Sequence, residues 1–303
     1  MSRVFVAPVS FGLGDLVISL PVVQAAIAAG ARVGDETWLV ARAPVQAALA
    51  ERIAGLAGTV DEETFTPPRP PDRLVDLRDH PLQRDYWWGS PEFEAAYGPL
   101  AINEILARIG ADLGITADFS APVPLSATPP PDVSGCVLLI AETDGVAKQW
   151  PAARWTGLAD SIQAAGAPVR LVTRDGIPAA LGGCGLREVR APTPGDAVDV
   201  LSACRAVVGV DTGLTHVAAQ QGTPTVTVCR PPAVFFRAWP HTRVVTGRRC
   251  DDACVAAETA YAYHDRVSLR GFRPERAWAC AAAARCLEAI EPAAVFAALT
   301  EIW

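Results

Sequence analysis

The chain has 303 residues, half of them hydrophobic, and a formal charge of −7. That length suffices for two ordinary domains with cores of their own, and the acidic balance argues against non-specific binding of nucleic acid. No uninterrupted apolar run approaches the roughly 18–20 residues of a membrane span, and the start, MSRVFVAPVSFGLGD, has neither the basic beginning nor the cleavage site of a signal peptide, so a soluble, cytoplasmic protein is expected.

Residues 3–9 (RVFVAPV) read as a strand ending at a Gly-containing loop, SFGLGD, 10–15. A helix is predicted over 15–29, with Leu16, Leu20, Val23 and Ile27 on one stripe, a kink at Pro21 and a stop at Gly30. A strand at 37–41, a helix at 44–54, short strands near 59–61 and 73–77 and a helix at about 99–113 follow. Residues 122–134 hold five prolines and make the best linker. Beyond them come a strand at 136–142, a helix at 152–165, a strand at 168–174, a helix near 196–204 and a strand at 206–210. The stretch GVDTGLTHVAAQQGTPTVTV, 209–228, then reads as a strand end, a tight turn, a helix and the next strand. Val/Leu/Ile-rich strands alternating with helices imply parallel sheets covered on both faces, hence an α/β protein of two doubly wound domains with a cleft between them.

Ligands of such sheets sit beyond the carboxyl ends of the strands, and three segments fall there. In SFGLGD, Gly12 and Gly14 let a backbone approach closely, and Asp15 opens the helix. Asp15 reads either as a cap or as a carboxylate able to take a proton from an alcohol. In the second segment Asp211, Thr212 and Gly213 stand at a helix mouth, where free N–H groups and a partial positive charge favour anions. Leu214, Val217, Ala218 and Gln221 form the stripe expected to pack, and His216 falls on another face near the mouth, as a structural hydrogen-bonder or a site residue. In the third, KQWPAARW (148–155), Lys148 precedes a helix with Pro151 in its first turn, placed either in solvent or as a point charge for phosphate. No Asp or Glu occurs between Thr212 and Cys250, whereas Arg230, Arg237, Arg243, Arg248 and Arg249 do, a cationic run suited to an anionic small molecule or to a plain basic surface.

GLGD near the start, K-x-W-P opening the second half and D-T-G-L-x-H-x-A-A some sixty residues later together resemble glycosyltransferase family 9, the heptosyltransferase family of lipopolysaccharide inner-core synthesis. The resemblance extends from residue 3 to the closing CLEAIEPAAVFAAL, 286–299. It implies a GT-B fold, with two Rossmann-like domains facing a central cleft: an acceptor-binding domain over 1–130 and a nucleotide-sugar-binding domain over 131–303, whose last helix can pack back on the first. It also implies inverting transfer from an ADP-sugar, typically ADP-heptose, with no metal or other cofactor required; the sequence contains no D-x-D triplet. By matching position Asp15 would be the general base, Lys148 would pair with the diphosphate, and Asp211, Thr212, Gly213 and Leu214 would cradle diphosphate and sugar with His216 close by. Asp175, in RLVTRDG, is the counterpart offered for the ribose-holding acid.

The segment 79–98 carries Tyr86, Trp87, Trp88, Phe93 and Tyr97 where the family meets its acceptor, so Tyr86, Trp87 and Trp88 are candidates for an acceptor platform or for plain packing. The acceptor is expected to be a hydroxyl of a glycan, glycolipid, natural product or protein, with peripheral membrane contact possible and nucleic acid excluded. Cys136, Cys184, Cys204 and Cys229 read as buried thiols. Cys250, Cys254, Cys280 and Cys286, spaced C-x3-C and C-x5-C, are a weak metal candidate. The alternatives are a nucleotide-sugar epimerase or hydrolase on the same scaffold, and a non-catalytic nucleotide-sugar-binding protein.

Overall fold

The computed structural model describes residues 2–303 apart from 87, 90, 144–147, 184, 232, 235 and 249–284. The chain divides into two units between Ser126 and Ala127, inside the proline-rich stretch and a few residues ahead of the expected 130/131 boundary.

In the first unit β1 (Arg3–Ala7), β2 (Glu36–Ala41), β3 (Gly58–Asp61) and β4 (Arg73–Asp76) form a sheet in the order β3-β2-β1-β4, parallel throughout. β1 is buried from Val4 to Ala7, on both faces, as its unbroken apolar run requires. Helix α1 (Leu13–Val33) continues beyond the stop expected at Gly30. Pro21 lies inside it, and Gly34, not Gly30, ends it with φ at 78°. Gly30 is needed for space instead: a Cβ there would meet the Asp35 carbonyl oxygen at 3.0 Å. By length and composition α1 is apolar enough to cross a membrane, its apolar residues being interrupted by Gln24. Here every residue from Leu16 to Val23 is buried, and the helix packs on β1 and β2 as the unit's core helix. α2 (Pro44–Ala50), α3 (Pro81–Arg84), α4 (Pro91–Tyr97) and α5 (Ile102–Asp112) complete the unit. α5 buries Ile102, Ile105, Leu106 and Ile109, an i, i+3, i+4, i+7 stripe.

In the second unit β5 (Val137–Ile140), β6 (Val169–Thr173), β7 (Arg187–Arg190), β8 (Ala206–Val210), β9 (Thr225–Cys229) and β10 (Thr242–Thr246) form a parallel sheet in the order β10-β9-β8-β5-β6-β7. Counted from β5, this is the 3-2-1-4-5-6 order of a dinucleotide-type Rossmann sheet, and its order reverses between β5 and β8. The helices are α6 (Ala152–Ala164), α7 (Pro194–Ala203), α8 (Gly213–Gln220), α9 (Arg285–Glu288) and α10 (Pro292–Thr300). Pro151 is the residue before α6 rather than part of its first turn. α7 starts at Pro194 because Thr193 caps it: the Thr193 hydroxyl accepts from the Asp196 N–H, and the Asp196 carboxylate accepts from the Thr193 N–H, both at 3.1 Å.

α10 lies on α6, β9 and β10, with Val295 and Leu299 fully buried in the second unit's core. Trp150 reinforces this, its indole N–H donating to the Ile290 carbonyl at 3.1 Å.

Candidate functional site

The reversal between β5 and β8 opens a crevice at the carboxyl ends of those strands, and the two sequence segments singled out by their chemistry meet there. Lys148 follows β5, and Asp211 follows β8. Their Nζ and Oδ2 are 2.7 Å apart, with the lysine side chain about one-third exposed (35%) and the aspartate less so (19%). Trp150, buried and packed edge-on against Trp155 at 4.9 Å, anchors the chain two residues beyond Lys148. This explains the K-x-W-P spacing: the indole fixes the backbone so that the ammonium reaches the strand ends.

The other side of the crevice is the mouth of α8. Thr212 is the N-cap residue, in extended conformation, and its hydroxyl makes no capping bond. Its carbonyl accepts from the N–H groups of Thr215 and His216. Gly213 and Leu214, half-buried, stand in the turn ahead of them with their N–H groups at the positive end of the helix. The turn is held from below. Thr215 is fully buried, and its hydroxyl donates to the Val210 carbonyl at 2.7 Å. Gly209 must be glycine because a methyl group there would overlap the Thr215 oxygen.

Burial works against ionisation of Asp211, but the Lys148 ammonium and the His216 ring outweigh it and hold the carboxyl below the usual carboxylate range. His216 is 8% exposed, its Nε2 3.8 Å from Asp211 Oδ1. Its ring stacks on Phe236 with centroids 4.5 Å apart and planes 2° from parallel. Burial, with the charges of Arg237 and Lys148, pushes its pKa below the ordinary histidine value although Asp211 pulls the other way, so the imidazole is neutral at pH 7. The site thus pairs one cation and one carboxylate, with a neutral ring and a helix mouth beside them. It is chemically suited to a phosphorylated, hydroxyl-bearing ligand.

Several expectations need correcting. The buried face of α8 is Thr215, His216, Val217, Ala218 and Gln220, whereas Leu214 and Gln221 are only half-buried. Two members of the cationic run are engaged within the second unit, while Arg248 is exposed and Arg249 lies outside the described residues. Arg237 is buried, bonded to the Gln220 amide oxygen and lowered by burial to about 9. Arg243 is ion-paired with Glu301 at 2.8 Å. Arg230, named in that run, directly follows β9, half-buried, and acts electrostatically on Cys229 together with Asp211 and Lys148. The strand-end rule that selects Asp211 selects it too. Asp175 follows β6, is 80% exposed and pairs with Arg174 at 2.8 Å.

Trp88 is buried at 3% exposure, its indole N–H donating to the Leu82 carbonyl at 2.8 Å, so its faces are covered and it packs rather than forming a platform. Tyr86 is half-buried and meets Tyr97 edge-on at 5.2 Å; Trp87 lies outside the described residues. Cys136 and Cys229 are buried free thiols, and Cys204 is half-buried, its thiol pushed up to about 12 by burial. Cys286 is buried in the second unit's core, while Cys184, Cys250, Cys254 and Cys280 lie outside the described residues. Among the described residues no His, Cys, Asp and Glu cluster has metal-holding geometry.

In the first unit the strand order reverses between β1 and β4, and Asp15 stands in the first turn of α1 after β1. Its Oδ2 accepts the Gly12 N–H at 2.8 Å, so the capping role is realised, while its position is also the one where that sheet receives a ligand.

Residues 117–262 match the family model of glycosyltransferase family 9 (heptosyltransferase). A search of the curated proteins gives no match. Among solved structures, the chain is similar to the E. coli heptosyltransferase WaaC with ADP-2-deoxy-2-fluoro heptose at 17% identity and TM-score 0.59, over 81% of this chain and 93% of that one. It is similar to a family 9 glycosyl transferase from Veillonella parvula at 13% identity and TM-score 0.67, over 99% and 97%. The iron-containing dodecameric glycosyltransferase TibC from enterotoxigenic E. coli is also similar, at 17% identity and TM-score 0.66, over 99% and 78%. These likenesses establish the fold class, two Rossmann-like units of the GT-B type.

Proposed function

We propose, from the premise that this chain belongs to glycosyltransferase family 9 through residues 117–262, that it moves a heptose or similar sugar from an ADP-sugar to an acceptor hydroxyl, with inversion and without a metal. The observation that carries this reading is the Lys148–Asp211 pair at 2.7 Å across the strand-order reversal, beside the mouth of α8. WaaC was solved with an ADP-heptose analogue, and TibC with ADP-D-β-D-heptose, which supports the same donor class here.

In this reading the diphosphate displaces the Asp211 carboxylate from Lys148 and takes the N–H groups of Gly213 and Leu214. Asp211 then turns to the sugar hydroxyls, with neutral His216 and Thr212 alongside, and Asp175 is offered to the ribose. As the glycosidic bond to the diphosphate breaks, negative charge grows on the leaving oxygen. Lys148 and the helix mouth stabilise that charge most in the transition state. One pre-placed donor of this kind contributes about 3–4 kcal/mol. Asp15 takes the acceptor proton as the new bond forms.

The test is ADP release from ADP-heptose with and without a panel of hydroxyl acceptors. Acceptor-dependent release, abolished in Asp15→Asn with ADP binding retained, is the expected result. Fast release without acceptor, or an epimerised donor, would favour a hydrolase or epimerase instead.

A further inference from the structure

We propose that Gln46 is the positioning residue for Asp15, an inference that rests on reading Asp15 as the base. Gln46 lies in the first turn of α2 and is fully buried. Its Nε2 donates to the carbonyls of Ser10 at 2.8 Å and Gly12 at 3.0 Å, and its Oε1 accepts the Arg42 N–H at 3.0 Å. Both amide hydrogens and the amide oxygen are therefore committed, and they tie the loop after β1, the mouth of α1 and the exit from β2 to one side chain.

Gln46 pins the peptides on either side of the one that holds Asp15, through the Ser10 and Gly12 carbonyls. The Gly12 N–H donates to Asp15 Oδ2 at 2.8 Å, and a Cβ at position 12 would lie 2.7 Å from that oxygen, so the carboxylate rests against bare backbone. The far side of the residue is fixed as well, because the Ser19 hydroxyl donates to the Asp15 carbonyl at 2.6 Å. Gln46 has a firm footing of its own. The fully buried Arg42 side chain reaches Asp76 at 3.3 Å, just where β4 ends. Asp76 also holds Arg78 at 2.9 Å, and Arg78 pairs with Glu62 beyond β3. The network joins the carboxyl ends of all four strands, and Gln46 is its link to the loop that carries Gly12. Two of the five residues in Ser-Phe-Gly-Leu-Gly are glycines, with no side chain to define the loop's path, and a base displaced by about 1 Å loses on the order of a hundredfold in rate.

The experiment compares Gln46→Glu, nearly isosteric but with no donor for the two carbonyls when ionised, and Gln46→Met, of similar length and apolar. Each is measured for kcat, donor KM, ADP affinity by calorimetry and melting temperature, with Asp15→Asn in parallel. The inference predicts a fall in kcat of about tenfold or more in both variants, with donor KM and ADP affinity within about twofold of the wild type. Wild-type kcat in a folded Gln46 variant, beside an inactive Asp15→Asn, would overturn the positioning role while leaving the base intact. Loss of ADP affinity in step with kcat would also overturn it, since the effect would then be general unfolding. Wild-type kcat in Asp15→Asn would instead remove the base reading, whatever Gln46 does.

Discussion

Gly209→Ala probes how the donor crevice is built. Gly209 is the penultimate residue of β8, in register with Ile140 of β5. A methyl group there overlaps Thr215 Oγ1 and lies 3.2 Å from both Ile140 Cβ and Thr215 Cβ. The neighbours have no room to give, because Ile140 is 1% exposed and Thr215 fully buried. Overpacking of this kind costs roughly 1–3 kcal/mol. Pushing Thr215 away also breaks its 2.7 Å bond to the Val210 carbonyl, a further loss of about 0.5–1.5 kcal/mol. The expected destabilisation is therefore about 1.5–4.5 kcal/mol. Urea unfolding of Gly209→Ala, Thr215→Ala and the double variant gives the assay. Removing the Thr215 side chain makes room for the new methyl, so the double variant should be more stable than the sum of the singles predicts by at least about 1 kcal/mol. Strict additivity, or a Gly209→Ala protein within about 0.5 kcal/mol of wild type, would refute this account of the turn.

Lys148→Ala removes a charge-assisted partner worth about 1.5–3 kcal/mol, so ADP affinity by calorimetry should drop roughly tenfold to a hundredfold; unchanged affinity would contradict the diphosphate role. Acid should weaken the fold through His216. Its folded pKa is depressed by burial, so its contribution is complete above the ordinary value of 6.5 and is lost as pH falls through the lower folded value. Asp211, also depressed, adds a second loss below 3.8. The urea midpoint should fall on acidification from neutrality; a rise between pH 7 and 5 would run against the His216 sign, and a rise below pH 3.8 against the Asp211 sign. Trp88→Ala should cost about 3–5 kcal/mol with little change in acceptor KM. A raised KM at unchanged stability would restore the platform role.

The parts of the fold governed by unbroken apolar runs were legible in the sequence. β1, β5 and β8 stand where their Val-rich segments are, and the alternation with helices predicted parallel sheets correctly. Punctuation was less dependable. Pro21 lies inside α1 as expected, but so does Gly30, where the helix was expected to stop; burial along the helix outweighs the local cost of that glycine. β7 (REVR) and β10 (TRVVT) were missed because short, charged edge strands carry little hydrophobic signal.

The crevice was readable from the strand-end rule, which brought Lys148 and Asp211 together. The buried face of α8 was not. Thr215, His216 and Gln220 are polar by composition and are buried only because the Val210 carbonyl, the Phe236 ring and Arg237 await them, partners distant in sequence or invisible to periodicity. Gln46 carries no sequence signal at all, since its role exists only once three backbone segments converge on it.

The most direct measurement is a structure of this chain with ADP bound. The account predicts phosphate oxygens at about 2.7–3.2 Å from Lys148 Nζ and from the N–H groups of Gly213 and Leu214, with the Lys148–Asp211 contact opened. A diphosphate bound elsewhere, with that contact still at 2.7 Å, would contradict it.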